Sequence, residues 1–282
     1  MICAWDSLIH ILPIWMRDEV DRLGRENLQE LRLRKNLSPE LIFNGYSMYI
    51  DRTIRQDDLD FCINIASNYS PWTATTLSNG YITAAGGHRI GVCGEAVVEN
   101  GFMTGIRSAD MLCIRVARDF PGISKNIPLC AGSTLIIGSP GSGKTTLLRD
   151  LIRRQSQRRQ GSIGVVDERR ELFPKHNDNS CFDPGPKTDI LSGCRKGQGI
   201  EILIRCMNPI TIAVDEITSK EDCKVLLHAA WCGVSLFATA HAGSKEDLYS
   251  RMVYKPLIES QIFKTLVIMH PDKSIELEMI NQ

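Results

Sequence analysis

The run Gly138-Ser139-Pro140-Gly141-Ser142-Gly143-Lys144-Thr145-Thr146 constrains this chain more than any other stretch. It satisfies the spacing G-x-x-x-x-G-K-[ST]. It follows a short apolar run, residues 133–138, and precedes residues 144–154, where Leu147, Leu148, Leu151 and Ile152 fall on one helical face. A strand, a glycine-rich turn and a helix form the arrangement in which backbone amides wrap an anion and the helix N-terminus adds partial positive charge. All nine residues of the run are therefore candidates for holding a nucleoside triphosphate. Lys144 is expected to reach the β- and γ-phosphates, and Thr145 to ligate magnesium.

Such a loop needs a sheet behind it. Apolar runs of strand length recur at 163–167, 210–215 and 234–239, and residues 266–269 and 275–279 read as a closing pair. Strands separated by helical segments predict a parallel sheet covered on both faces. Their ends carry chemistry. Asp215 and Glu216 end the third strand: Asp215 is the second expected metal ligand, and Glu216 is placed to polarise an attacking water as general base. That base favours ATP hydrolysis over nucleotide binding alone. Thr239 and His241 close the fourth strand at the carboxyl edge, where a polar group can sense the γ-phosphate. The second strand ends in 165–171, Val-Val-Asp167-Glu168-Arg169-Arg170-Glu171. Its three carboxylates are candidates to orient water or metal at the nucleotide, and Arg169 or Arg170 to reach a neighbour's nucleotide. The competing reading is a solvated strand end.

Residues 1 to about 125 read differently. A helix is predicted over 14–24, then a half-buried strand over 28–34 in which Leu31 and Leu33 alternate with Arg32 and Arg34. A helix over 56–67 and two strands, 86–98 and 105–116, follow, the strands split by the hairpin signal Glu99-Asn100-Gly101. This predicts a small α+β domain over 1–125, a linker at 121–128, and a second domain over 126–282.

The 33 basic and 33 acidic residues cancel, so no long-range field draws the chain to nucleic acid or to an anionic membrane. Arg149, Arg153, Arg154, Arg158 and Arg159 form a basic helix and tail, but no aromatic residue is interleaved to stack on bases, and a solvated face outweighs a nucleic-acid surface. No apolar run reaches bilayer length. Residues 1–16 are apolar but interrupted by Asp6, His10 and Pro13, with neither a basic start nor a small-residue cleavage site. A cytoplasmic protein is expected, docked at a membrane through partners. The 10 cysteines include no C-x-x-C pair; Cys62, Cys93, Cys113, Cys206, Cys223 and Cys232 lie in apolar segments and predict reduced, buried thiols. The irregular spacing of His176, Cys181, Cys194 and His241 weighs against zinc. Residues 191–198 superficially match the signature of ABC transporter ATPases, but the interval from Lys144 is too short for that family's helical subdomain and the paired glycines are missing.

Beyond the generic loop, ITAAGGHRIGVCGEAV (82–97), GIRSADMLCIRVAR (105–118), VVDERRE (165–171), TDILSGCRKGQGIEILIRCMNP (188–209), IAVDEIT (212–218) and ATAHAGSKEDL (238–248) occur in an order that resembles the stage III sporulation protein AA family over nearly all of residues 28–270. The strand ending in Thr239-Ala240-His241 is more distantly similar to the histidine box of type II and type IV secretion ATPases. The resemblance implies a RecA-like P-loop NTPase core with a small α+β N-terminal domain. It implies a Mg-dependent ATPase working as a ring homo-oligomer, expected to be a hexamer. It further implies a place on the mother-cell side of a membrane, with other stage III sporulation A-type membrane proteins, where the ATPase powers a channel to the forespore. By the same resemblance Lys144, Thr145, Asp215 and Glu216 keep the roles given above. Asp167, Glu168 and Glu171 match an acidic box, and His241 the histidine box.

A cation from a neighbour would complete such a site. Arg115, Arg118 and Arg205 are candidates, and Arg115 and Arg205 join Glu216, Lys144 and His241 in the expected catalytic set. ATP is expected to sit between the two domains or between subunits. Four departures from the family pattern stand out: Ser142, Arg170, a divergent insert at 173–184, and Lys187–Ser192 in place of a stretch that usually begins with Arg. Two other functions compete with a motor, a nucleotide-gated hexameric platform without turnover and a nucleic-acid-dependent RecA-like motor.

Overall fold

A computed structural model describes residues 1–68, 80–129, 132–158, 161–176 and 179–279. The chain divides into an N-terminal unit, Met1–Asp119 with Pro174–Phe182, and a C-terminal unit, Phe120–Phe173 with Asp183–Gln282.

The N-terminal unit opens with helices α1 (Trp5–Ile11) and α2 (Ile14–Gly24). Pro13 separates them, since it cannot continue a helix but suits the position before a new one. Strands β1 (Glu30–Arg34), β2 (Glu40–Ile42) and β3 (Ser47–Tyr49) follow, then α3 (Gln56–Ala66), β4 (Tyr81–Thr83), β5 (Arg89–Glu99) and β6 (Phe102–Arg115). The six strands form one antiparallel sheet in the order β3-β2-β1-β6-β5-β4. The alternation in β1 does what its period demands: Leu31 and Leu33 are fully buried and Arg32 is exposed. Asn100 and Gly101 join β5 to β6 with φ of 52° and 81°, the left-handed pair that a tight hairpin turn requires.

The C-terminal unit runs β7 (Ser133–Gly138), α4 (Lys144–Ser156) and β8 (Ile163–Asp167). The chain then returns to the N-terminal unit for a short hairpin of β9 (Lys175–His176) and β10 (Asn179–Ser180). Back in the C-terminal unit come β11 (Thr188–Ser192), α5 (Lys196–Met207), β12 (Thr211–Ile217), α6 (Lys220–Trp231), β13 (Ser235–His241), α7 (Lys245–Ser250), α8 (Lys255–Glu259), β14 (Phe263–Met269) and β15 (Ile275–Met279). Seven strands align in the order β11-β8-β12-β13-β7-β14-β15, all parallel except β15. Every residue of β7 and β8 is buried, as in a sheet covered on both faces. The order places the carboxyl ends of β8, β12, β13 and β7 side by side, and the polar strand ends meet there.

Three expectations need correction. The division falls between Asp119 and Phe120, ahead of the expected boundary at 125, because residues 122–127 are hydrogen-bonded to α4 rather than free as a linker. Most of the divergent insert belongs to the N-terminal unit, where Gly87 makes room for it: a Cβ there would lie 3.1 Å from Pro174 and 3.3 Å from Phe182. The described cysteines form no disulfide, but only Cys62 and Cys223 are buried; Cys93, Cys206 and Cys232 are exposed, because a helix or strand in an apolar stretch still has an outer face. Among the described residues no helix is long and apolar enough to cross a membrane.

Candidate nucleotide site

The loop between β7 and α4 turns on Gly141 and Gly143, with φ of 74° and 104°. It also lies close against the sheet. A Cβ on Gly138 would fall 2.5 Å from Ser142 Oγ and 2.6 Å from the Met269 carbonyl, so only glycine fits. Lys144 is folded back into the loop. Its ammonium donates to the carbonyls of Gly138 (2.9 Å) and Ser139 (2.8 Å) and to His241 Nδ1 (3.2 Å). Burial holds Lys144 below the usual lysine range, against the pull of Asp215 and Glu216.

The ends of β12 and β13 supply the second half. Asp215 stands between two hydroxyls: Thr145 Oγ1 donates to its Oδ2 at 2.7 Å and Thr239 Oγ1 to its Oδ1 at 2.5 Å. The Thr239 oxygen also accepts the Glu216 amide at 2.7 Å. Glu216 has φ 56°, a left-handed backbone in a side chain that disfavours it, and the β12–β13 register breaks between Val214 and Ile217. A bulge of this kind re-aims a side chain, and strained residues of this kind gather at functional sites. Glu216 Oε1 meets His241 Nε2 at 3.0 Å. Because an ammonium only donates, His241 accepts at Nδ1 from Lys144 and donates from Nε2 to Glu216. Arg169 Nη1 donates to the other Glu216 oxygen. Lys144, His241, Glu216 and Arg169 thus form one continuous chain across four neighbouring loops.

The acidic-box residues follow from the end of β8, the strand beside β12. Asp167 is buried, and its carboxylate accepts the amides of Glu171 (2.8 Å) and Phe173 (2.9 Å), capping its own loop; burial raises its pKa above the usual range. Glu168 pairs with Lys196 Nζ at 2.6 Å at the start of α5. The Glu171 amide serves Asp167, and its carbonyl accepts from Arg149. Arg115 lies in the sheet of the N-terminal unit, 65% exposed and 3.5 Å from Glu30. Arg118 donates to the Leu28 carbonyl and lies 5.8 Å over the Trp5 ring, and Arg205 is exposed in the last turn of α5. Arg169, expected to face a neighbour, pairs with Glu216 of its own chain. Two further cations take part: Lys196, which pairs with Glu168, and Lys273 in the β14–β15 turn, which donates to the Gly141 carbonyl. Lys196 lies within the specific stretch 188–209, but its partner, like that of Lys273, is set only when sheet order brings the strands together.

The residues fit a magnesium ion. Thr145 and Asp215 present hard oxygens side by side, the donor set this ion prefers. Ser142 Oγ, inside the loop, is buried without a hydrogen-bond partner, which marks a cradle whose polar groups await a ligand.

Fold and site together define a RecA-like P-loop core with a small α+β N-terminal domain. Two solved ATPase structures share it: DotB of Legionella pneumophila (TM-score 0.63, 16% identity, 96% of this chain and 82% of that one) and the pilus retraction motor PilT with bound ADP (TM-score 0.65, 17% identity, 96% and 84%). The family profile described as "Sporulation stage III, protein AA" matches residues 7–278. Stage III sporulation protein AA of Bacillus subtilis is 36% identical over 279 residues, covering 92% of this chain and 88% of that protein. The chain belongs to the sporulation stage III protein AA family.

Proposed function

We propose that this protein is a Mg-dependent ATPase that works as a motor, in a ring of identical copies, for a membrane apparatus of sporulation. The observation that carries the reading is Glu216: its backbone is held left-handed by Thr239, and its carboxylate is joined through His241 to the phosphate-loop lysine. A protein that only binds nucleotide has little need of such a placed base.

Lys144 would exchange its loop carbonyls and His241 for phosphate oxygens. Thr145 and Asp215 would hold magnesium, which when bound offsets charge on the phosphates. Release of Lys144 frees His241 Nδ1 and loosens the hold on Glu216. Glu216 then accepts the proton of the attacking water, while His241 Nε2–H remains a donor beside it. The backbone amides of the loop and the start of α4 orient the phosphates. A neighbouring copy would supply the remaining cation; Arg115 and Arg205, both exposed, stay candidates. Other stage III A membrane proteins are the proposed docking partners, on the cytoplasmic, mother-cell face.

The paired state of Glu216, held by both His241 and Arg169, favours one second reading: a platform that assembles on nucleotide and stays silent. Phosphate release and binding of a fluorescent nucleotide separate the two. Lys144→Ala is expected to lose both. Glu216→Gln is expected to bind nucleotide but release phosphate about 100-fold more slowly or worse. Full turnover by Lys144→Ala would refute the site. Equal silence of wild type and Glu216→Gln, with membrane partners supplied, would establish the platform. The mass of the assembly with a non-hydrolysable nucleotide tests the ring.

A further inference from the structure

The chain passes between its two units three times, at Asp119/Phe120, Phe173/Pro174 and Phe182/Asp183. On the C-terminal side each crossing is fastened, and each fastening is made by the same helix, α4. Beside the first crossing, Asp150 accepts the amides of Gly122 and Ser124 (both 2.9 Å) and the Ser124 hydroxyl (2.6 Å), and Arg154 donates to Ser124 Oγ (3.1 Å) and the Ile127 carbonyl (3.2 Å). Beside the second, Arg149 donates to the carbonyls of Leu172 (2.6 Å) and Glu171 (3.0 Å). Beside the third, Arg153 donates to the Asp183 carbonyl (2.9 Å) and to Asp150 (3.0 Å), and Ser156 Oγ accepts the Lys187 amide (2.7 Å). Gly185 lies so close to α4 that a Cβ would be 2.7 Å from Ser156.

These are strong fastenings. Arg149, Asp150 and Arg153 are buried at 5%, 1% and 5% exposure, so each charge must be paired where it stands. A guanidinium presents a rigid fork of donors suited to holding two carbonyls at once. Burial pushes Asp150 up, but Ser124, Gly122 and Arg153 together hold its carboxyl below the usual range. The other end of the helix is the phosphate site, since α4 starts at Lys144 and Thr145. Its 13 residues make a stiff rod of about 20 Å.

We infer that α4 is the element through which the phosphate site moves the N-terminal unit, with Arg149, Asp150, Arg153 and Arg154 as positioning residues that bind all three chain crossings to it. The inference rests on the nucleotide reading of the site. It explains why a helix that reads as a basic face spends its arginines on loop carbonyls. A ligand that shifts the start of α4 shifts three attachment points together, and two conformations of the unit they carry become linked to two states of the site.

The test uses the full chain with a donor and an acceptor dye at two exposed positions, Arg22 in α2 and Lys255 in α8, introduced through genetically encoded reactive residues. Dye separation is read without nucleotide, with ADP and with a non-hydrolysable ATP analogue, and nucleotide binding is measured on the same samples. Wild type is expected to show a nucleotide-dependent change in separation. Arg149→Lys, which keeps the charge but loses the fork, and the less buried Arg154→Gln are expected to bind nucleotide as wild type does while losing half or more of that change. Two variants of such different burial keep the test decisive if one of them fails to fold. Wild-type-sized changes in a variant that binds nucleotide would overturn the inference, as would nucleotide binding by wild type without any change. Failure of wild type to bind nucleotide at all would be a different result, refuting the site reading and this inference with it.

Discussion

Thr239 shows how much a single hydroxyl can organise. It donates to Asp215 and accepts from the Glu216 amide, so one oxygen sets both the candidate metal ligand and the candidate base. Thr239 is fully buried, and no water can replace it without a cavity. Thr239→Val, close in shape, leaves a carboxylate oxygen and an amide unpaired. It is expected to cost about 1–3 kcal/mol in denaturant unfolding and to cut phosphate release, while Thr239→Ser restores most of both. A valine variant with wild-type stability and turnover would show that neither group depends on this hydroxyl. At this scale much of the site was readable beforehand. Lys144 and Thr145 are spaced by the loop itself, and Asp215, Glu216, Thr239 and His241 each end an apolar run. The partners of Arg169 and Glu168 were not readable, because side chains distant in sequence meet only after the strands are ordered.

Among the elements, the turn before β5 has a purpose that its sequence half discloses. Gly86 and Gly87 have φ of 75° and 81°, and a Cβ on Gly86 would lie 2.3 Å from that of Ala4. The close approach lets His88, fully buried, accept the Ala117 amide at Nδ1 (3.1 Å) and donate from Nε2 to the Ala4 carbonyl (3.0 Å). The specific GGHRIG stretch is thus a clasp between α1 and the end of β6, built for packing. Burial lowers the His88 pKa below the ordinary histidine range. The unfolded chain therefore binds the proton more readily than the folded one, and stability rises with pH across the interval between the two values. Denaturant midpoints are expected to fall as pH drops from about 7 to about 5, through the ordinary histidine range. In His88→Gln, which does not titrate, that part of the slope is expected to vanish; an unchanged slope would place the titration elsewhere.

For the whole molecule, charge balance and the fate of the arginines point the same way. The net charge is zero, and the basic helix seen in the sequence, now α4, spends Arg149, Arg153 and Arg154 on loop carbonyls and Arg158 on the Leu129 carbonyl; Arg159 lies outside the described residues. Single-stranded DNA is therefore expected to leave phosphate release unchanged across a salt series. A strong stimulation that fades with salt would instead support a nucleic-acid motor.

The chain's own order of residues determined the class of core, because a strand, a glycine-rich turn and a helix that begins at a lysine can be joined in few ways, and each apolar run had the length and composition of a covered strand. It also determined the family, through stretches too specific to arise from the loop alone. Only the tertiary structure decided where the units divide, that residues 174–182 return to the first of them, and that one helix holds all three crossings. The reason is physical. Local patterns report the period and length of an element, whereas a buried arginine or aspartate reports nothing until a loop from elsewhere presents the backbone groups it must satisfy.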